Sequence, residues 1–134
     1  MRHITLFLML LTLSSFTGSS SDFSLIGTWE ASEVHENLTI TSDNEGFSTW
    51  KNGDEVMGGK KFEMDGALYQ MTYTTDMTMR PYHVDFIMTA LETKKARTMQ
   101  GIFEVISNDE IRINMDETER PTDFEDGGIM KRVK

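Results

Sequence analysis

His83 and Asp85 stand two residues apart in "PYHVDF", and in an extended chain that spacing turns both side chains to one face. An imidazole beside a carboxylate is the base-and-orienter part of a hydrolytic triad, which is complete only with a nucleophile. Serine and threonine are plentiful, but the strand-turn-helix pattern G-x-S-x-G does not occur. The pair therefore reads as a solvated or hydrogen-bonded surface pair, and the chain as a non-enzyme. Beyond the N-terminal stretch the only histidines are His35 and His83, and cysteine is absent, which leaves no His/Cys zinc site and no three-His site within one chain.

Asp116, Glu117, Glu119, Asp123, Glu125 and Asp126 offer carboxylate oxygens from one loop, the donor type that calcium prefers. Their spacing does not match the twelve-residue calcium loop, and Arg120 and Pro121 interrupt them. A solvated charge run is the reading, and no metal or other cofactor is expected. No Gly-rich loop precedes a helix, so nucleotide chemistry has no support. Methionine is the unusual residue: there are eleven, among them Met57, Met64, Met71, Met88, Met99 and Met115. Flexible thioethers either line an adaptable apolar pocket or fill a core, and both readings stay open at this point.

Positioning such side chains requires strands. Short β-branched and aromatic stretches divided by Gly, Asn and Asp clusters recur at intervals of about 8 to 12 residues, the pattern of an all-β sandwich or barrel. Asn52-Gly53 and Asp65-Gly66 suit tight hairpins, and Gly58-Gly59 marks a bulge or bend inside a segment running from Glu55 to Met64. "ALYQMTYT" alternates Ala67, Tyr69, Met71 and Tyr73 against Leu68, Gln70, Thr72 and Thr74. "HVDFIMTA" likewise buries Val84, Phe86, Met88 and Ala90. An antiparallel up-and-down meander of about eight or nine strands, closing into a barrel so that no edge is left exposed, is the expected architecture. A pocket inside it would be lined by Met71, Tyr73, Phe86, Met88 and Phe103.

The first 21 residues read differently. Arg2 is followed by the apolar run "ITLFLMLLTL" and the small-residue tract "SSFTGSSS", the charged start, apolar stretch and cleavage zone of a signal peptide. The apolar run falls short of the roughly 20 residues that a membrane-spanning helix needs. The expected organisation is thus a signal peptide over 1–21 and one barrel domain over 22–134, secreted or periplasmic, with no integral membrane segment after cleavage. Cleavage leaves 12 of the 13 Lys and Arg against 22 Asp and Glu, a net charge of −10. Nucleic acid is a poor partner for such a surface. Export without cysteine also means that packing and sheet hydrogen bonds, not disulfides, hold the domain. Asn37-Leu38-Thr39 forms a glycosylation sequon, incidental beside a bacterial-looking signal.

"IGTWEASEVHENL" near the start and "GIFEVISNDEIRINMDETERPTDFEDGGIMKRVK" at the end resemble a family of lipocalin-like, calycin-type domains common in planctomycetes and related bacteria. In that family a G-T-W strand opens the domain, and a G-I-Y-E-L strand, an R-P-T-x-F loop and a basic strand close it. Gly101-Ile102-Phe103-Glu104-Val105 and Arg120-Pro121-Thr122-Asp123-Phe124 match in order. Asn114 and Met115 stand where the family often has a cysteine and an aromatic. The resemblance implies a barrel with no assigned reaction, closed by Gly27, Trp29 and a basic residue of the last strand, Arg132 or Lys131, stacked on the indole. It also suggests that Pro121 fixes a turn and Phe124 plugs a barrel end. Two functions remain: binding of a small apolar or amphipathic ligand in the barrel, or a protein-interaction or structural module with a filled core.

Overall fold

In the computed structural model, residues 23–31 and 38–133 are described; the expected signal segment, His35 and Asn37 lie outside them. No described residue is helical. Among the described residues ten strands follow one another: β1 (Gly27–Ala31), β2 (Leu38–Ser42), β3 (Ser48–Asn52), β4 (Glu55–Gly58), β5 (Phe62–Met64), β6 (Ala67–Asp76), β7 (Tyr82–Ala90), β8 (Ala96–Ser107), β9 (Glu110–Asp116) and β10 (Gly128–Arg132). They form one antiparallel sheet in the order β4-β3-β2-β1-β10-β9-β8-β7-β6-β5. The first and last strands are neighbours, so the meander wraps into a nearly closed barrel.

Side-chain alternation sets the two faces. Cross-strand partners place Trp29, Ile40, Trp50, Met57, Met71, Phe86, Met99, Phe103, Ile113 and Met130 on the inner face. Most of these are buried with Leu25, Val84 and Ile111 in a single core. Each aliphatic or aromatic side chain removed from water in this way stabilises the fold by about 1.5 to 3 kcal/mol.

The described residues hold ten strands rather than eight or nine because the segment from Glu55 to Met64 is broken at Gly58-Gly59. Their φ angles are +108° and +84°, values that glycine adopts without steric cost. A Cβ on Gly58 would overlap the carbonyl oxygen of Ser48, so only a glycine lets β4 come this close to β3.

The same bend makes the barrel seam. The Gly59 amide donates to the Ser48 carbonyl at 2.7 Å, and the Gly59 carbonyl accepts from the Met71 amide at 2.9 Å. Nearby, the Tyr73 amide donates to Gly46 at 3.0 Å, and Phe47 bridges to Thr72. One end of the gap between β3 and β6 is thereby stitched. Further along, β4 and β5 are not paired with each other, and the wall is open.

Between β9 and β10 the chain runs over the outside of the sheet. Arg120 donates to the Gly101 carbonyl at 2.9 Å, and the Asn114 side-chain amide donates to the Asp123 carbonyl at 2.9 Å. Phe124 packs against Arg112, 5.7 Å from guanidinium carbon to ring centroid. Arg112 alternates with the buried Ile111 and Ile113, so Phe124 covers the outer wall and does not plug a barrel end. Ile102, an outward residue by parity, is 2 % exposed, which this covering segment explains.

Candidate ligand-binding site

The two ends of the barrel differ in chemistry. At one end Trp29 is the register partner of Arg132, whose guanidinium carbon lies 4.3 Å from the indole centroid. Lys131 alternates to the opposite face and is exposed. Arg132 Nη1 donates to the Ile26 carbonyl at 2.7 Å, Nη2 to those of Ser24 and Asn108 at 2.9 and 2.8 Å, and Nε to Asn108 at 3.0 Å. Trp29 Nε1 donates to the Leu25 carbonyl at 3.0 Å. Gly27, at φ +131°, starts the strand beneath this stack. Phe23 packs on Trp29 and on Phe103, each at 6.1 Å between centroids, and Tyr82 packs on Phe103 at 5.4 Å. The hydrogen-bonding groups of the Trp29 and Arg132 side chains are thus engaged at this end.

The other end is lined with thioethers. A cleft of about 620 Å³ opens where β4 and β5 part, walled by Leu38, Trp50, Met57, Phe62, Met64, Met99 and Met115, with Asn52, Glu55, Val56 and Glu63 beside them. A deeper hollow of about 220 Å³ shares Trp50, Met57, Met64 and Met99 with it and adds Met71, Phe86 and Met88. The shared side chains stand between the two. Arg97, Thr98 and Glu117 also border the deeper hollow, and Arg97 Nη2 donates to Glu117 Oε1 at 2.9 Å. Trp50 stands edge-to-face with Phe86 at 5.1 Å and 80°. Its Nε1 is buried and has no hydrogen-bond partner among the described residues.

Of the residues expected to line a pocket, Met71, Phe86 and Met88 border the deeper hollow. Phe103 lies at the Trp29 end, wholly buried. Tyr73 contacts Phe86 at 6.4 Å, and its hydroxyl donates to the Asp43 carbonyl at 2.8 Å beside the seam. Burial, then the nearby Asp43 charge, raises the Tyr73 pKa above its ordinary value. Trp50, Met57, Met64, Met99 and Met115 complete the mouth. Parity counted from the Asn52-Gly53 and Asp65-Gly66 turns would have put Met57 and Met64 there, because both turns lie at that end of the sheet.

His83 and Asp85 do share a face, the outer one. Asp85 is held by Arg120: Nη2 donates to Oδ2 at 3.2 Å, and Nη1 lies 2.9 Å from Oδ1 in an ionic contact without hydrogen-bond alignment. His83 is paired in register with Asp76, whose carboxyl is held below its usual range mainly by the Thr78 hydroxyl and amide. In the acidic loop, Asp116 is lowered for the same reason, by hydrogen bonds from Thr118 and Glu119. Among the described residues no group of three or more His, Cys, Asp or Glu is arranged to hold a metal ion.

Compared with models of protein families, with curated proteins and with solved structures, the chain finds no match.

Proposed function

We propose that this protein is an exported, non-enzymatic binding module of the lipocalin-like kind, taking a small apolar or amphipathic ligand into the methionine-lined end of its barrel. The observation that carries the reading is the cleft around Trp50, whose volume of about 620 Å³ falls in the range of small-molecule sites, roughly 300 to 1,000 Å³. Its walls are mostly thioether and aromatic, surfaces that gain by leaving water and adapt to irregular shapes. A filled-core module would present packed side chains at this position instead. A binding role rather than a catalytic one is favoured because His83 and Asp85 face away from the cleft and Arg120 already occupies the Asp85 carboxylate. Secretion or periplasmic residence rests on residues 1–21 and is part of the same proposal.

The test is titration of the purified protein with N-phenyl-1-naphthylamine, an uncharged fluorophore, alongside native mass spectrometry of the fresh preparation. Saturable one-to-one fluorescence enhancement, weakened by Met64→Trp and competed by whatever small molecule copurifies, is the expected result. Fluorescence that rises without saturating, or that is indifferent to Met64→Trp, would sink the reading.

A further inference from the structure

Resting on that reading for the cleft itself, we infer that its ligand is an extended peptide of alternating apolar and basic residues, which adds to the free edge of β4 and sends an apolar side chain inward. β4 and β5 are the end strands of the sheet order, and the cleft is bordered by Glu55, Val56 and Met57 of one and by Phe62, Glu63 and Met64 of the other. An unpaired strand edge is a template for another strand. Alternation along the ladder decides which groups are free. Across the two-residue turn Gly53-Asp54, Glu55 pairs with Asn52 and Met57 with Trp50, and the Gly59 amide continues that series to the Ser48 carbonyl at 2.7 Å. The Val56 amide and carbonyl therefore point away from β3. Val56 is 61 % exposed, and no other described segment bonds its backbone. On the facing strand the Glu63 backbone likewise points away from β6, because its register partner Leu68 turns its own carbonyl to the Leu91 amide at 2.9 Å.

The charges at the mouth choose among peptides. Asp54 and Glu55 at one turn and Glu63 and Asp65 at the other are all exposed, and none forms an ion pair among the described residues. Lys51 lies across from Val56 on β3, Lys60 is already held by Glu45 at 2.8 Å, and Lys61 precedes β5 at the bend. Unpaired carboxylates around one mouth attract Lys or Arg and repel an acidic peptide. The inner wall of Met57, Phe62 and Met64 accepts apolar side chains of varied shape. In an extended chain those two demands fall on alternate residues.

The probe is a dye-labelled seven-residue peptide of alternating lysine and leucine, followed by fluorescence anisotropy. One relative carries glutamate in place of lysine; another carries backbone N-methyl groups on alternate residues, which keep every charge but block pairing. Saturable binding of the first peptide is expected, weakened roughly tenfold or more by either change, as the loss of one or two backbone hydrogen bonds implies. Val56→Pro removes the edge amide and spares the ladder to β3, so it should weaken the peptide to the same degree while N-phenyl-1-naphthylamine still binds. A second readout needs no variant: with peptide bound, the Val56 amide exchanges roughly tenfold or more slowly, the Trp29 amide serving as the fixed reference. Affinity for the N-methylated peptide within about twofold of the first, or unchanged exchange at Val56, would mean charge attraction alone and overturns the inference. Failure of the peptide beside intact naphthylamine binding removes the inference and leaves the binding proposal, whereas failure of both probes with the wild type removes both.

Discussion

Arg132 concentrates more bonding than any other side chain described here, because one planar guanidinium meets the backbone of two remote segments and the face of Trp29 at once. A lysine at this position keeps the charge but not the fork, so it reaches fewer of the carbonyls of Ser24, Ile26 and Asn108. Hydrogen bonds to charged groups contribute about 1.5 to 3 kcal/mol each. With the side chain 20 % exposed, Arg132→Lys should cost about 2 to 3 kcal/mol, read as a lower urea midpoint at unchanged slope. Lys131→Arg, on the other face, should leave that midpoint in place. The Trp29 stack was expected only through the resemblance to lipocalin-like domains, which left Arg132 and Lys131 open, and the strand register chooses Arg132. That Trp50 Nε1 lacks a partner among the described residues was not legible. A missing partner is a property of the surrounding space, which no residue spacing encodes.

Alternation along single strands transmitted well from sequence to structure, because a pleat admits only two faces: Met71 and Tyr73 in β6, and Val84, Phe86 and Met88 in β7, point inward as the pattern requires. The interruption between β4 and β5 was harder to see. Gly58-Gly59 announced a bend, but whether the chain continues in the same pairing or crosses to a new one depends on the distance to Ser48 and Met71, both remote from the bend in space until the sheet curls. Two glycines test what that bend does. Gly58→Ala combines a left-handed φ with overlap against the Ser48 carbonyl, and backbone there cannot move aside without breaking the Gly59-to-Ser48 hydrogen bond. Gly53→Ala meets nothing within 4 Å and bears only the left-handed cost, roughly 1 to 2 kcal/mol. Thermal unfolding should therefore show Gly58→Ala losing at least about 3 kcal/mol, clearly more than Gly53→Ala. Equal losses would mean that β4 shifts freely against β3.

The whole barrel is held unevenly around its circumference. β1 and β10 are joined by a ladder and by Arg132, whereas β4 and β5 are each paired on one side only. Local opening free energy follows such differences, so amide hydrogen exchange should be faster in Val56, Met57 and Glu63 than in Trp29, Ile111 and Met130, by on the order of tenfold or more. Uniform protection around the ring would contradict a wall that parts at one seam. A last consequence belongs to the pairing of Trp29 with Arg132, partners about 100 residues apart along the chain. Contacts of such long range are slow to form, and during synthesis the first ribbon must wait until β10 is made before its second neighbour exists. Translation that stops before Gly128 would leave β1 as a bare edge and its greasy inner surface wet, the kind of product that chaperones and proteases recognise.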